Sequence, residues 1–367
     1  MIRNGQKAKL ASMAQHGYGE ILRRRDFSCF FWTQFLGAFN DNLYKMILSL
    51  LALDVTSAAG SRGFYISLIG FLFILPFALF SGYAGQLADI YSKRTVLIAV
   101  KIFEIFAMAL GWVAFLYGRI EPMLGVVFLM GLHSTFFSPA KYGILPEMLP
   151  EEELSRGNGL LEMSTFMAII LGTSLGGLIY GAWKDHLGWI GAMLTIIAML
   201  GTVTSLGITR VPASGAAKAF KPYPWTEIWH GMKRLSREKP LWLAVAGISY
   251  FWFLGALIQM DVLLYGKEIL QLDEARIGLL GTFLAIGIGA GSLAAGRLSG
   301  DKIELGLVPL GSVAMGAFPT LLYFSPPDFT VASALLVAMA FSAGLFIVPL
   351  NALLQQRSGK QEKGQLI

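Results

Sequence analysis

A long apolar stretch near the amino terminus carries polar and ionisable residues in its middle. Residues 27–53 are enough to cross ~30 Å of hydrocarbon as a helix that rises about 1.5 Å per residue. Near half-depth lie Asn40, Asp41, Asn42 and Lys45. An ionised side chain at that depth costs several kcal/mol, so it indicates a functional group that faces a protein-lined cavity. The alternative is an Asp41–Lys45 ion pair, four residues apart on one helical face, that only holds helices together.

The composition of the whole chain is typical of an integral membrane protein. Of its 367 residues, 55% are hydrophobic and 14% are charged, whereas soluble domains carry roughly 25% charged residues. The net charge of +6 lies in segments between apolar runs, which favours a role in membrane orientation over nucleic-acid binding. The histidines are scattered, and zinc and His-x4-Asp spacings are missing from the sequence. We therefore expect a protein that is not an enzyme and that holds no metal or cofactor.

Hydropathy predicts ten membrane-spanning helices. Their predicted bounds are 27–53, 64–88, 95–117, 122–144, 157–182, 187–208, 240–265, 275–298, 303–324 and 329–354. The loops and termini on one side of these spans carry roughly four times as many Lys and Arg residues as those on the other side. By the positive-inside rule, the amino terminus of this multi-pass protein is predicted to be cytoplasmic.

The predicted spans fall into two groups. We predict a cytoplasmic segment over 1–26, a six-helix bundle over 27–208, a cytoplasmic central loop over 209–239 and an incomplete four-helix bundle over 240–367. Within the central loop, Trp225–Arg237 has apolar residues at helical spacing flanked by basic residues. This pattern indicates an amphipathic helix, either on the membrane surface or packed on the protein as a linker.

Two segments of the first group have counterparts in the second. Gly85–Thr95, after span two, has a weaker counterpart in Gly296–Gly306, after span eight. Ser138–Leu149, at the end of span four, has its counterpart in Val348–Arg357, at the end of span ten. An offset of six spans is typical of a transporter with two six-helix halves. The second half would then lack its last two spans, so we expect the sequence to be a fragment.

The segment Gly85–Arg94 resembles a loop of the major facilitator superfamily, with a glycine, an aspartate and a basic pair. It departs from the usual pattern at Ile90 and Ser92, where a basic residue and a glycine are expected. We assign four residues of this loop to a conformational gate: Gly85, Asp89, Lys93 and Arg94. The alternative is an ordinary basic loop that obeys the positive-inside rule.

Lys141 is a second candidate for a buried charge, since it lies in the segment SPAKYGI near the end of span four. A helix distortion around Pro139 would expose it to a central cavity, where its ammonium suits a phosphate. Alternatively, the lysine reaches the membrane interface. In span three, Lys101 and Glu104 are three residues apart and are expected to neutralise each other in a structural role.

Small residues recur at helix-packing intervals in two spans. They are Gly172, Gly176, Gly177 and Gly181 in span five, and Gly281, Ala285, Gly289 and Gly291 in span eight. Small side chains at four-residue spacing allow membrane helices to approach closely. The pattern therefore predicts tight and movable helix packing at these two spans.

The chain resembles the bacterial lysophospholipid transporter family, LplT, in five segments that keep their order along the family's sequences. These segments are Phe35–Lys45 (FLGAFNDNLYK), Gly85–Asp89 (GQLAD), Ser138–Glu147 (SPAKYGILPE), Asn158–Gly177 (NGLLEMSTFMAIILGTSLGG) and Val348–Arg357 (VPLNALLQQR). More closely, they resemble the transporter portion of proteins that fuse this module to an acyltransferase and an acyl-ACP synthetase.

The resemblance implies the all-α fold of the major facilitator superfamily, truncated to about ten of twelve helices. It implies a flippase that moves lysophospholipids such as lysophosphatidylethanolamine to the cytoplasmic leaflet of the inner membrane for reacylation. Asp41 and Lys141 are implied as headgroup residues, and Gln259 stands where the stand-alone transporters have a basic residue. With Asn40 and Asn42, Asp41 suits the headgroup ammonium, while Lys141 suits the phosphate. Phe251, Trp252 and Phe253 are expected near the acyl chain.

Several alternatives remain open from the sequence. The chain could transport another small solute, such as a drug or a sugar. It could instead be a membrane anchor for a fused or partner acyltransferase that transports nothing. The coupling ion is also open, because Asp41 suits sodium, a proton or no ion at all.

Overall fold

The computed structural model describes residues 18–55, 59–210, 236–272, 274–300 and 302–357, together with residues 220, 229 and 233. A short helix, Tyr18–Arg23, precedes ten long helices in this part of the chain. The long helices are α1 (Arg25–Val55), α2 (Ala59–Ile90), α3 (Lys93–Tyr117), α4 (Ile120–Met148), α5 (Leu154–Trp183), α6 (Leu187–Leu206), α7 (Lys239–Leu264), α8 (Glu274–Ser299), α9 (Leu307–Phe324) and α10 (Phe329–Arg357). Each predicted span falls on one of these helices. Most of the amphipathic segment predicted at Trp225–Arg237 lies outside the described residues.

Helices α2 to α10 have the length and composition of membrane spans. Eight segments of the described chain are long and apolar enough to cross a membrane, and one of them covers both α5 and α6. Helix α1 is not among the eight, in agreement with its polar centre. The fold class predicted from the sequence, an all-α integral membrane protein, is confirmed.

The described residues group into two compact units. The first unit contains residues 29–144 and 171–210, and the second contains residues 18–28, 145–170 and 236–357. Helix α5 contributes its beginning to the second unit and its end to the first. The predicted domain boundaries stay a prediction.

The apolar core of the first unit forms around α1. Tyr44 and Leu48 of α1, Met108 of α3 and Met123 of α4 are all buried in it. The Tyr44 hydroxyl donates a hydrogen bond of 3.1 Å to the carbonyl of Met123, which satisfies a polar group that burial would otherwise leave costly. A tight turn joins α3 to α4 at Gly118, whose φ of 64° favours glycine.

The second unit is centred on α10, and buried polar side chains fix the register of its helices. Asn158 of α5 and Gln355 of α10 exchange two amide hydrogen bonds of 2.8 and 2.9 Å. One turn later on α5 and one turn earlier on α10, the Asn351 amide donates to Glu162 at 3.1 Å. Because buried polar groups are costly without partners, these pairs select one alignment of α5 against α10.

The segment before α1 also belongs to the second unit. Arg24 donates two hydrogen bonds, of 2.6 and 2.7 Å, to the carboxylate of Glu153. The Tyr18 hydroxyl donates to the carbonyl of Leu293 in α8. Burial raises the pKa of Tyr18 to about 12, so its phenol remains a neutral donor at physiological pH.

The predicted small-residue packing holds at some glycines and not at others. A Cβ at Gly172 would lie 2.7 Å from the carbonyl oxygen of Phe39, and one at Gly291 would collide with the carbonyl of Phe341. At Gly181 and Gly281, an added Cβ would meet no described atom within 4 Å. Close approach therefore occurs where the small residue faces a neighbouring backbone, and spacing alone does not identify that face.

The two kinds of glycine in α8 give a stability prediction. Gly291→Ala should lower the free energy of unfolding by about 1–3 kcal/mol, because the methyl group must displace the α10 backbone. The matched control on the same helix is Gly278→Ala, where an added Cβ meets no described atom within 4 Å. Denaturant unfolding of the purified proteins measures both changes, and equal stability of the two variants would contradict the packing.

Candidate functional site

A polar cavity of about 130 Å³ lies inside the first unit. Helices α1 and α4 supply most of its lining, with contributions from α2 and α3. The lining residues are Gln34, Gly37, Ala38, Asp41, Phe77, Lys101, Glu104, His133, Ser134, Phe137, Ser138 and Lys141. On α1 and α4 they recur at intervals of three and four, which is the spacing of one helical face. The cavity thus gathers charged side chains from three helices within a membrane bundle.

Asp41 is held by two side chains of α4. Its carboxylate accepts a hydrogen bond of 2.7 Å from the Ser134 hydroxyl and lies 3.2 Å from Nε2 of His133. The alternative of a direct Asp41–Lys45 ion pair is not what the structure shows, because the Lys45 ammonium lies over the ring of Phe73, 4.0 Å from its centroid. The two opposite charges, one helical turn apart, still attract each other. The lysine thus uses the negative face of an aromatic ring on α2, and α4 supplies the partners of Asp41.

The predicted pairing of Lys101 with Glu104 is confirmed, and both side chains are buried. Glu104 also accepts a hydrogen bond of 3.3 Å from the amide of Asn40. Glycines make room for the lysine, since a Cβ at Gly201 of α6 would lie 2.8 Å from Lys101 Nζ and one at Gly37 of α1 would lie 3.1 Å away. The pair therefore has a structural role and also faces the cavity.

Lys141 reaches the same cavity from the end of α4. Its side chain is only 7% exposed, and its ammonium lies 5.0 Å from the ring centroid of Tyr142. Helix α4 is continuous through Pro139, and the expected local distortion around that proline stays a prediction. It lies eight residues after His133, about 2.2 helical turns, and both side chains line the cavity.

The remaining candidate residues lie elsewhere. The Asn42 amide donates back to the carbonyl of Ala38 at 2.7 Å, and its Cβ faces Gly172 of α5. Asn42 and Lys45 are outside the cavity lining, and Asn40 reaches it only through Glu104. The side chain of Gln259 lies outside what the structure describes.

The aromatic residues expected near the acyl chain divide between two environments. Phe251 and Trp252 line an apolar cavity of about 280 Å³ in the second unit. Phe253 is 62% exposed and is not part of that lining. Their proposed role in holding an acyl chain stays a prediction.

The four gate residues lie where α2 ends and α3 begins. Gly85, Asp89 and Lys93 are buried. The Arg94 guanidinium donates hydrogen bonds of 2.6 and 3.0 Å to the carbonyls of Ile208 and Leu206. It thereby caps the carboxyl end of α6, where a cation also complements the helix dipole. The loop ties three helices of the first unit together, and its gating role stays a prediction.

The structure adds residues that the sequence reasoning missed. In the sequence, His133 is one of several scattered histidines, and Gln34 and Ser134 match none of the motifs. A usable signal was present, because His133, Phe137 and Lys141 follow one another at intervals of four on a single helical face. A search for polar residues on the face of Lys141 would have found the histidine.

The formal charges of the cavity balance when His133 is neutral. Asp41 and Glu104 are anionic, whereas Lys101 and Lys141 are cationic. Such a site presents both signs of charge to a ligand that has lost its water. Among the described residues, no group of three or more His, Cys, Asp or Glu side chains is arranged to hold a metal ion. The arrangement suits the binding of a small zwitterionic or anionic group.

Comparisons with known proteins agree with this picture. The sequence matches the Major Facilitator Superfamily over residues 30–367. It is 30% identical over 338 residues to the lysophospholipid transporter LplT of Serratia proteamaculans (strain 568), a match that covers 90% of this chain and 80% of that protein. The chain belongs to the LplT family of the major facilitator superfamily. The LplT protein of Yersinia pestis (strain Pestoides F) is 29% identical over 333 residues, with 90% of this chain and 78% of that one covered.

Solved structures show the same fold as this LplT-family chain. The human organic anion transporter MFSD10 (TETRAN) superposes with a TM-score of 0.75 at 15% identity, over 94% of this chain and 88% of that one. The major facilitator transporter FucP, in an outward conformation, superposes with a TM-score of 0.71 at 14% identity, over 93% and 86% of the two chains. The predicted major facilitator fold is therefore confirmed.

The buried Lys101–Glu104 pair of this LplT-family protein gives a stability prediction. Lys101→Met should lower the free energy of unfolding by about 3–5 kcal/mol, because Glu104 then keeps a buried charge without its partner. The double variant Lys101→Met/Glu104→Gln should recover most of that loss, since neither position is then charged. Denaturant unfolding measures the free energy of unfolding of the unaltered protein and of each variant. Lys184→Met, at an exposed lysine, is the control. A double variant no more stable than the single one would contradict the pairing.

Proposed function

We propose that this protein moves lysophospholipids, such as lysophosphatidylethanolamine, across the bacterial inner membrane by alternating access. Its LplT relatives carry the name of that substrate. The observation that carries the proposal is the cavity in which Asp41 and Lys141, residues of opposite charge, both line a small polar space within a membrane bundle.

The charge balance of the cavity fits a phospholipid headgroup. A headgroup that crosses the membrane must exchange its hydration for protein contacts, and an unpaired charge there would cost several kcal/mol. Lysophosphatidylethanolamine carries one phosphate anion and one ammonium cation. A cavity with paired anions and cations can replace the water around both groups, whereas a cavity of a single sign could not.

The side chains divide between the two headgroup charges. Lys141 would receive the phosphate, because a lysine ammonium acts on it as a compact point charge. Asp41 would receive the headgroup ammonium, since a carboxylate accepts charge-assisted hydrogen bonds. The Lys101–Glu104 pair is already neutralised within the protein, so we assign it to shaping the cavity rather than to direct headgroup pairing.

The direction of transport rests on the orientation of the chain. The excess of Lys and Arg on one side of the spans supports a cytoplasmic amino terminus in the inner membrane. We infer delivery of the substrate to the cytoplasmic leaflet, where an acyltransferase, either a partner or a fused domain, would restore the second acyl chain.

Charge-removing variants test the two headgroup residues. Asp41→Asn and Lys141→Gln should each lower the initial rate of lysophosphatidylethanolamine uptake by about tenfold or more, because each leaves one headgroup charge without its partner. Uptake of labelled lipid into proteoliposomes measures the effect, normalised to folded protein.

The matched controls for these two variants are Asp185→Asn and Lys184→Gln. Both residues are exposed and lie just after α5. The two control variants should therefore transport the lipid at the unaltered rate. Full uptake by both cavity variants would remove the proposed headgroup site.

Competition distinguishes this substrate class from other solutes. Unlabelled lysophosphatidylethanolamine should suppress uptake of the labelled lipid, because both occupy one site. Sugars and uncharged drugs should leave uptake unchanged, because they bring no phosphate to Lys141. Strong competition by a sugar in the same proteoliposome assay would favour a facilitator of other solutes.

A further inference from the structure

His133 is the cavity residue whose role the headgroup assignment leaves open. It lies on α4 with only 4% of its surface exposed, and its Nε2 is 3.2 Å from the Asp41 carboxylate. The Ser134 hydroxyl binds the other oxygen of that carboxylate at 2.7 Å. Asp41 is therefore oriented by two neighbouring residues of one helix, and only one of them can change its charge.

A histidine can hold Asp41 in either of its charge states. A neutral imidazole with its proton on Nε2 donates a hydrogen bond to the carboxylate, and the imidazolium donates the same bond with an added positive charge. Histidine is also the side chain that ordinarily changes charge between about pH 5 and pH 8. Protonation at this position would change the charge of the cavity by one while keeping the same hydrogen bond.

The other charges that face the cavity come from three helices. Asp41 is on α1, Lys101 and Glu104 are on α3, and Lys141 is on α4. Lys45, one turn beyond Asp41 on α1, lies over an aromatic ring of α2. The four lining charges sum to zero when His133 is neutral, so its protonation makes the lining cationic by one charge.

We propose that His133 sets the headgroup preference of the cavity, favouring zwitterionic lysophospholipids when neutral and anionic ones when protonated. The inference rests on the proposed transport function and deepens it. Lysophosphatidylethanolamine is neutral overall and matches a cavity of zero net charge. Lysophosphatidylglycerol carries one net negative charge and matches a cavity with one extra positive charge. His133 acts through the charge and position of Asp41 and contacts no reacting atom, so it is a positioning residue.

The test measures a ratio of two transport rates rather than one rate. Initial uptake of labelled lysophosphatidylglycerol is divided by that of lysophosphatidylethanolamine, in proteoliposomes with the same pH on both sides. In the unaltered protein this ratio should rise by at least about threefold from about pH 8.5 to about pH 5.5, since a single nearby charge acts strongly in a low-dielectric site. Neither headgroup changes its own charge appreciably over that range.

Three variants separate the effect of His133 from effects of pH on the vesicles. In His133→Gln, whose amide still donates to Asp41 but stays uncharged, the ratio should remain low and flat with pH. In His186→Gln, which alters an exposed histidine after α5, the ratio should vary as in the unaltered protein. His133→Lys, which carries a permanent charge, should hold the ratio high at both pH values.

The outcomes distinguish a failure of the inference about His133 from a failure of the proposed transport function. If the unaltered protein transports both lipids at a ratio that does not change with pH, His133 does not set the preference, although lysophospholipid transport stands. A pH-dependent ratio that persists in His133→Gln also overturns the inference. If the unaltered protein transports neither lipid, the proposed function fails and this inference fails with it. Should His133→Gln not fold, His133→Asn replaces it under the same criteria.

Discussion

Neutralisation of buried charge is the constraint on which the first unit depends. A membrane interior offers no water to an ionised side chain, so each such group needs a partner of opposite charge or a set of hydrogen bonds. Lys101 and Glu104 pair with each other, and Asp41 is held by Ser134 and His133. These contacts join α1, α3 and α4 around one polar cavity, and they make a charged site compatible with an apolar bundle.

Helix packing follows from the same requirement. Gly37 of α1 and Gly201 of α6 leave space beside the Lys101 ammonium, so both helices can approach a long charged side chain without displacing it. In the second unit, amide side chains make several of the buried polar contacts, beside the Arg24–Glu153 ion pair. The reciprocal Asn158–Gln355 bonds and the Asn351–Glu162 bond align α5 with α10. Buried charged residues lie in both units, and the described cavity that residues of both signs line is in the first unit.

Much of the candidate site could be predicted from polar residues placed in apolar spans. Asp41 and Lys141 were expected to share a cavity, and they line the same one, while their role in binding substrate stays a prediction. The sequence-based predictions differ from the structure in the partner that each side chain contacts. Lys45 is one turn from Asp41 but packs over Phe73 of α2, and Asn42 bonds back to its own helix. Helical periodicity shows which residues share a face, but it does not show which helix lies opposite that face.

By itself, the sequence determined the positions of the membrane helices and the fold class, because apolar runs long enough to span the bilayer leave few other structures possible. It also marked Asp41, Lys101, Glu104 and Lys141 as buried charges through their places in those runs. Only the tertiary structure brought His133 to Asp41 and joined the Lys101–Glu104 pair to the same cavity. Those contacts link helices that are distant in sequence, so they depend on how the helices are rotated and packed.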